Sequence, residues 1–207
     1  MTQTLDIGTR IELVPMDPHF NDITIGLYLE DQGGKAEYLV HSYSGLSGVD
    51  DRLDFVTNAM VALGGMMRGN DVGLSFPCGV DHRLACKRLF LEACKFDPET
   101  QPAPRPLQVF DKKAGCDIEV TAMGGGSYRI SAEKDDVARR ISAVAGGLIK
   151  LGQMEDVAKD QVQFPCGQNH DALVGLLLVR APNVRAVLRE EEQTASRGQL
   201  TAPSQQE

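Results

Sequence analysis

One seven-residue pattern occurs twice in this chain and constrains its fold more than any other feature. Residues 76–82 read FPCGVDH and residues 164–170 read FPCGQNH, so Phe, Pro, Cys, Gly and His recur at the same spacing. The surrounding sequence also repeats, because a glycine-turn hairpin, a helix preceded by paired aspartates, a short strand and a last helix accompany each copy. We therefore expect two similar halves that pack about a pseudo-two-fold axis.

Hydrophobic periodicity and turn residues place the elements of each half. Glycines at 33–34 and 124–126 permit tight hairpins, since glycine adopts positive φ without strain. Paired aspartates ahead of an amphipathic run mark the start of each first helix. The predicted strands are 10–16, 23–30, 36–43 and 71–76 in the first half and 107–110, 116–122, 127–132 and 160–164 in the second, with last helices at 81–95 and 169–181.

Each half thus has the order β-β-β-α-β-α, which predicts an α+β (mixed α/β) fold of two tandem repeats. A strand–helix–strand unit usually pairs its strands in parallel, whereas a hairpin pairs them antiparallel. We therefore expect mixed sheets covered by helices. The predicted organisation is a first repeat at 9–96, a Pro-rich extended linker at 97–106, a second repeat at 107–189 and a disordered tail at 190–207.

Apolar residues at three- and four-residue spacing give each first helix one buried stripe. The methionines in the first stripe are therefore predicted to fill the core rather than to bind copper. The predicted core positions are Leu53, Val56, Met60, Leu63 and Met67 in the first helix and Ile141, Val144, Ala145, Leu148 and Leu151 in the second.

Composition excludes some classes of function and sets the chemistry expected of the cysteines. With 42% apolar and 24% charged residues among 207, the chain is expected to be globular. Its net charge of −8 argues against a nucleic-acid or membrane partner. The first residues, MTQTLDIGTR, lack the features of a secretory signal, which predicts a cytoplasmic location. In a reducing compartment, the five cysteines are expected to be core residues, metal ligands or reactive thiols rather than disulfides.

The leading hypothesis is that the paired motifs bind a metal or another small ligand near the axis between the halves. Cys78 and His82 from one copy and Cys166 and His170 from the other supply two thiolates and two imidazoles, the ligand set of a closed zinc site. Cys86 lies four residues after His82 on the predicted helix and is a possible further ligand. The second half has Val174 at the corresponding place, so this extra ligand is not symmetric.

Two alternatives stay open. Cys78 or Cys166 could instead be the nucleophile of a thiol-dependent enzyme, with a neighbouring histidine that transfers the proton. A cysteine close to a helix N-terminus favours this role because the dipole lowers a thiol pKa, but the sequence identifies no third, orienting residue. The motif could also be purely architectural, within a non-catalytic module that binds an unknown protein.

The placement of a Pro-Cys pair between a strand and a helix resembles cytidine-deaminase-like folds in topology. Those enzymes use His-x-Glu and Pro-Cys-x-x-Cys sequences to hold a zinc-bound water and a catalytic glutamate. This chain has neither, since Asp81 or Asn169 stands where the second cysteine would be. The resemblance therefore implies no activity, and the sequence alone assigns the chain to no family.

Overall fold

A computed structural model of the chain describes residues 10–17, 25–31, 34–42, 48–69, 73–97, 99–134 and 137–200. Side chains are described in these ranges except at 10–17, 31 and 194–200. Within them the chain forms a mixed α+β fold with two antiparallel sheets and five α-helices. No helix among these residues is both long and apolar enough to cross a bilayer.

The first half of the chain forms one five-stranded sheet and two helices. Its strands occur in the spatial order β1-β2-β3-β5-β4. The elements are β1 (Arg10–Asp17), β2 (Ile25–Asp31), β3 (Ala36–Ser42), α1 (Val49–Gly64), β4 (Met67–Arg68), β5 (Gly73–Ser75) and α2 (Arg83–Ala93).

The second half forms another five-stranded sheet, in the corresponding order β6-β7-β8-β10-β9. Its elements are β6 (Gln108–Asp111), β7 (Cys116–Gly124), β8 (Ser127–Ala132), α3 (Ala138–Gly152), β9 (Glu155–Ala158), β10 (Gln161–Gln163) and α4 (Asp171–Leu178). A 3₁₀ turn at Ala181–Asn183 and helix α5 (Val184–Leu200) follow, so the chain restarts a helix just after Pro182.

The prediction of parallel strand pairing within each half is wrong. Strand β5 pairs antiparallel with β3, and β10 pairs antiparallel with β8. The reason is a short strand that the sequence analysis did not predict, β4 in the first half and β9 in the second. The chain leaves each first helix through this edge strand and then turns back, so that the next strand lies between the edge strand and the hairpin. The crossover therefore joins strands of like direction that are not neighbours.

The tail predicted to be disordered is helical as far as Leu200, because α5 includes residues 190–200. Arg88 of α2 holds this helix: its guanidinium donates to both carboxylate oxygens of Glu191, at 2.9 and 2.8 Å. The same guanidinium also donates to the carbonyl oxygens of Leu84 and Leu151. An arginine that is almost fully buried needs such partners, and they fix α5 against the body of the protein. Residues 201–207 lie outside the described residues.

One hydrophobic core contains residues from both halves. The predicted helix stripes lie in it, with Leu53 and Ile141 partly buried against it, except for Met67, which belongs to β4 and is 48% exposed. Tyr38 and Phe76 from the first half and Tyr128 and Phe164 from the second are among its largest fully buried side chains. Each buried aromatic or aliphatic side chain of this kind stabilises the fold by about 1.5–3 kcal/mol.

The first helix of each half ends beside the helix that follows the motif of the other half. At the end of α1, a Cβ on Gly65 would lie 3.6 Å from the Cβ of Ala172 in α4. At the end of α3, the Gln153 side chain accepts a hydrogen bond from the backbone N–H of Leu84 in α2. Both end residues have positive φ, which stops the helix at this junction. The two motif regions are thereby brought together.

Candidate metal centre

Each FPCGxxH segment forms a tight turn between a strand and a helix. The backbone N–H of Gly79 donates to the carbonyl of Phe76, and that of Gly167 donates to Phe164, at 2.9 and 3.0 Å. Both glycines have φ close to +70°, a conformation that other residues adopt only with strain. The repeated glycine is therefore required by the turn, which aims the preceding cysteine and the following histidine at one point.

The two motifs converge on a single site. The ligand atoms of Cys78, His82, Cys166 and His170 all lie within 4.8 Å of one another. Within each motif the histidine Nε2 faces the cysteine Sγ, at 3.2 Å for Cys78 and His82 and at 3.3 Å for Cys166 and His170. The histidines are buried and the cysteines are partly exposed. The site therefore has an inner imidazole side and an outer thiol side.

This separation of ligand atoms fits a single tetrahedral ion. Zinc bonds of about 2.3 Å to sulfur and about 2.0–2.1 Å to nitrogen place neighbouring ligand atoms about 3.3–3.8 Å apart. The two sulfur–nitrogen distances within the motifs, 3.2 and 3.3 Å, lie at or just below the lower end of that range, and no ligand-atom pair exceeds 4.8 Å. Small side-chain rotations would therefore bring all four atoms into the coordination sphere of one metal ion.

Four aromatic contacts fix the histidine rings. Phe76 packs edge-on against both imidazoles, with centroid distances of 5.2 Å to His82 and 5.6 Å to His170. Phe164 does the same, at 5.3 and 5.0 Å. Each phenylalanine thus contacts the histidine of its own motif and that of the other. The Phe of the repeated pattern walls off the inner side of the site and holds both rings in place.

Two tyrosines anchor the backbone of the histidines. The Tyr38 hydroxyl accepts a hydrogen bond from the His82 backbone N–H at 2.7 Å and donates one to Asp81 Oδ1 at 2.9 Å. Burial raises the pKa of Tyr38 well above its ordinary value, so the hydroxyl keeps the proton that it donates.

Tyr128 makes the equivalent bonds in the second half. Its hydroxyl accepts from the His170 backbone N–H at 2.5 Å and donates to Asp171 Oδ1 at 2.9 Å. The acceptors are not at equivalent positions, since Asp81 precedes its histidine and Asp171 follows it. The sequence analysis missed both tyrosines, although a tyrosine in the last hairpin strand of each half was an available signal.

The glycine run 124–126 also has a role that the sequence analysis missed. Gly126 closes the hairpin of β7 and β8, as predicted, and it also lies directly against the second motif. Its backbone N–H donates to Asn169 Oδ1 at 2.9 Å, and its carbonyl accepts from the Phe164 N–H at 2.9 Å. A Cβ at this position would meet the backbone of Gln168 at 3.0 Å. The hairpin tip therefore supports the turn that carries Cys166.

Electrostatics favour neutral imidazoles in this site. Burial lowers the pKa of His82, with Asp81 opposing the change. Burial and the neighbouring His82 lower the pKa of His170 to about 4. Both rings are consequently neutral near pH 7, which is the form that binds metal.

The surroundings of Cys78 favour its neutral thiol. Burial raises its pKa, and the nearby Cys166 raises it further, although the Val80 backbone N–H donates to the sulfur and opposes the change. The expected help from a helix dipole does not arise because α2 begins only at Arg83, so Cys78 lies outside its first turn.

Cys86 lies apart from this group. It is fully buried in the hydrophobic core one turn into α2, and burial raises the pKa of its thiol well above the ordinary value. The four ligand atoms that converge belong to the two motifs and do not include its sulfur. Cys86 is therefore part of the hydrophobic core in this structure.

No protein-family model matches the chain, and no curated protein or solved structure matches it.

Proposed function

We propose that this protein binds one zinc ion through Cys78, His82, Cys166 and His170, and that the ion joins the two halves of the chain. The observation that carries the proposal is the convergence of these four ligand atoms within 4.8 Å. Thiolate and imidazole together suit zinc, whereas calcium and magnesium prefer oxygen ligands. The spacing of the four ligand atoms matches a single ion at their centre.

A holding role fits this ligand set better than catalysis. Four protein ligands occupy all four coordination positions of a tetrahedral zinc ion, whereas a hydrolytic zinc enzyme keeps one position open for water. The ligands also come in equal numbers from the two motifs, so the bound ion would cross-link them. A two-iron cluster fits less well, because it would insert two metals and bridging sulfides between its ligand pairs.

We further propose that the halves are tandem repeats related by a pseudo-two-fold axis. Corresponding contacts support this: Tyr38 packs on Phe76 as Tyr128 packs on Phe164. A Cβ on Gly64 would clash with Leu89, and one on Gly152 would meet Leu177. The repeats would span residues 9–96 and 107–189 with 97–106 as linker. A cytoplasmic location, where thiols stay reduced, suits such a site.

Metal analysis of the full chain tests the zinc proposal. Protein purified without chelator under reducing conditions is expected to hold one zinc per chain, and cobalt substitution is expected to give the absorption bands of a tetrahedral thiolate site. Cys166→Ala and His170→Ala should each lose the metal, since a tetrahedral ion loses a quarter of its ligands. Cys116→Ala is the matched control, because that buried cysteine at the start of β7 is outside the group and should leave the zinc content unchanged.

Circular dichroism of the metal-free variants separates loss of ligands from loss of fold. Wild-type protein that remains folded, takes up far less than one equivalent of zinc and shows no cobalt spectrum would contradict the proposal. Unequal reactivity of Cys78 and Cys166 toward iodoacetamide in that metal-free protein, with one faster than a free thiol, would instead favour the thiol-enzyme alternative.

A further inference from the structure

The two motif cysteines differ from the other three in exposure. Cys78 and Cys166 are partly exposed, whereas Cys86, Cys94 and Cys116 are buried. Burial raises the pKa of Cys94 to about 12, so its thiol is inert at neutral pH. A small oxidant dissolved in water therefore reaches the sulfurs of the two motif cysteines more readily than the sulfur of any other cysteine.

The same two sulfurs also lie close together. Their Sγ atoms are at most 4.8 Å apart and belong to different halves of the chain. A disulfide has an S–S length of about 2.05 Å, so the sulfurs must approach by at most about 2.8 Å. The disulfide requires the two cysteine side chains to turn toward each other, while Phe76 and Phe164 hold the histidine rings.

We propose that Cys78 and Cys166 are a modification site at which a hydroperoxide oxidises the two thiols to a disulfide. One thiolate attacks the peroxide oxygen, the O–O bond breaks and an alcohol or water leaves, which gives a sulfenic acid. The second thiol attacks this sulfur, the S–O bond breaks and water leaves as the disulfide forms. In sum, two thiols and one hydroperoxide give one disulfide, one alcohol and one water, with two electrons passing from sulfur to oxygen.

This modification concerns the site of the proposed function. Its effect on metal binding rests on that proposed function. The two thiolates that would bind zinc are the groups consumed in the disulfide, so the oxidised protein keeps only His82 and His170 as ligands. Oxidation therefore releases the metal, and bound metal protects the thiols. The site therefore has two mutually exclusive states. In one a metal ion links the two turns, and in the other a disulfide links them.

Peroxide treatment of the full chain, in metal-free and zinc-loaded form, tests this inference. Peptide mapping without reductant should find Cys78 linked to Cys166 in most metal-free molecules after exposure to a modest excess of hydrogen peroxide. The zinc-loaded protein should form the same link on the order of tenfold more slowly, because metal-bound thiolates are less available. Zinc uptake by the oxidised protein should be lost and should return after reduction with a phosphine.

Matched variants and the two protein forms keep the outcomes distinct. Cys116→Ala should form the link as wild type does, and Cys166→Ser should form none. A link in a folded protein that takes up no zinc supports the modification site and contradicts the metal proposal. Uptake of one zinc per chain by a protein whose thiols, once metal-free, oxidise only to sulfinic acid or pair with Cys86, Cys94 or Cys116 overturns the modification site and leaves the metal proposal standing.

Discussion

The imidazole rings of His82 and His170 lie 4.8 Å apart, centroid to centroid, at an interplanar angle of 69°. They belong to different copies of the repeated motif, and Phe76 and Phe164 each contact both of them. Neither half of the chain can therefore form the site by itself.

Replacing Tyr128 by Phe tests the anchoring of His170, a proposed zinc ligand. The change leaves the buried N–H of His170 without its acceptor, which costs about 1–3 kcal/mol. Loss of such an outer partner should weaken zinc binding by roughly 10- to 100-fold. Competition with a zinc chelator gives the affinity, and the cobalt spectrum reports the altered geometry.

Tyr28→Phe is the control for this experiment, because Tyr28 is a buried tyrosine whose ring packs against His41 on the β2–β3 hairpin. It should bind zinc as wild type does. Equal affinities in the Tyr128 and Tyr28 variants would show that the hydroxyl of Tyr128 does not position the ligand.

Gly126→Ala tests the contact between the hairpin tip and the second motif. A Cβ at Gly126 meets both a positive φ and the Gln168 backbone at 3.0 Å, whereas one at Gly125 meets only a positive φ. The strained conformation alone costs about 1–3 kcal/mol. Urea unfolding should therefore show a greater loss for Gly126→Ala than for Gly125→Ala, and only the first should weaken zinc binding. The same zinc affinity in both variants would contradict a supporting role for the tip.

Glu191→Gln tests whether α5 is fixed to the body of the protein. The change removes the carboxylate that pairs with Arg88, whose side chain is only 5% exposed. A hydrogen bond between charged groups in such a setting contributes about 1.5–3 kcal/mol. Asp54→Asn, which breaks the exposed Arg68–Asp54 pair, is the comparison and should cost at most about 1 kcal/mol. Chemical denaturation of both variants measures the difference, and equal losses would argue against the α5 contact.

Asp111 should make stability depend on acidity. Its burial favours the neutral form, yet hydrogen bonds from Arg140 and from the N–H groups of Lys113 and Ala114 outweigh this and lower the pKa. A lowered pKa means that the folded state binds the proton less readily than the unfolded state does. The stabilisation is therefore complete above the ordinary aspartate pKa of about 3.9 and is lost as the pH falls through the lower folded value.

Asp111→Asn should accordingly be less stable than wild type near pH 6, and the gap should narrow at pH 3. Both measurements should use metal-free protein, so that loss of metal ligands does not contribute. Arg140→Gln should show the same narrowing, since the guanidinium is a main cause of the lowered pKa. A gap that stays constant between the two pH values would contradict this account.

The convergence of the motifs could be predicted from the sequence. Turn geometry accounts for the repeated Phe, Pro and Gly, but it does not require Cys and His together, so the repetition of those two residues indicated a shared site. The helix stripes were also predictable, since Val56, Met60 and Leu63 follow a period that only a helix satisfies. Propensity could not reveal a strand as short as Met67–Arg68, because two residues show no alternation and the pairing with Ser75 and Leu74 is set by the tertiary context. This omission caused the error in strand direction.

The burial of Arg88 among its hydrogen-bond partners could not be predicted from the sequence either. Arg88 reads as an ordinary surface arginine on an amphipathic helix, and its position between Leu151 and Glu191 follows from how three helices pack. The polar composition beyond residue 189 predicted disorder because a lone segment of this kind has little apolar surface to bury. Residues 190–200 are nevertheless helical, and Glu191 among them pairs with Arg88 of a distant helix.

The contacts of Phe76 and Phe164 with both histidines should keep the two halves together even when the chain between them is cleaved. Phe76 and Phe164 are each buried by the imidazole of the opposite motif, and the core beneath them is continuous. A protease that nicked the stretch 101–103, which is outside every helix and strand, would sever the only covalent tether between the sheets. The two fragments should nevertheless elute from a size-exclusion column as one particle, because separating them would expose buried aromatic rings of both fragments to water.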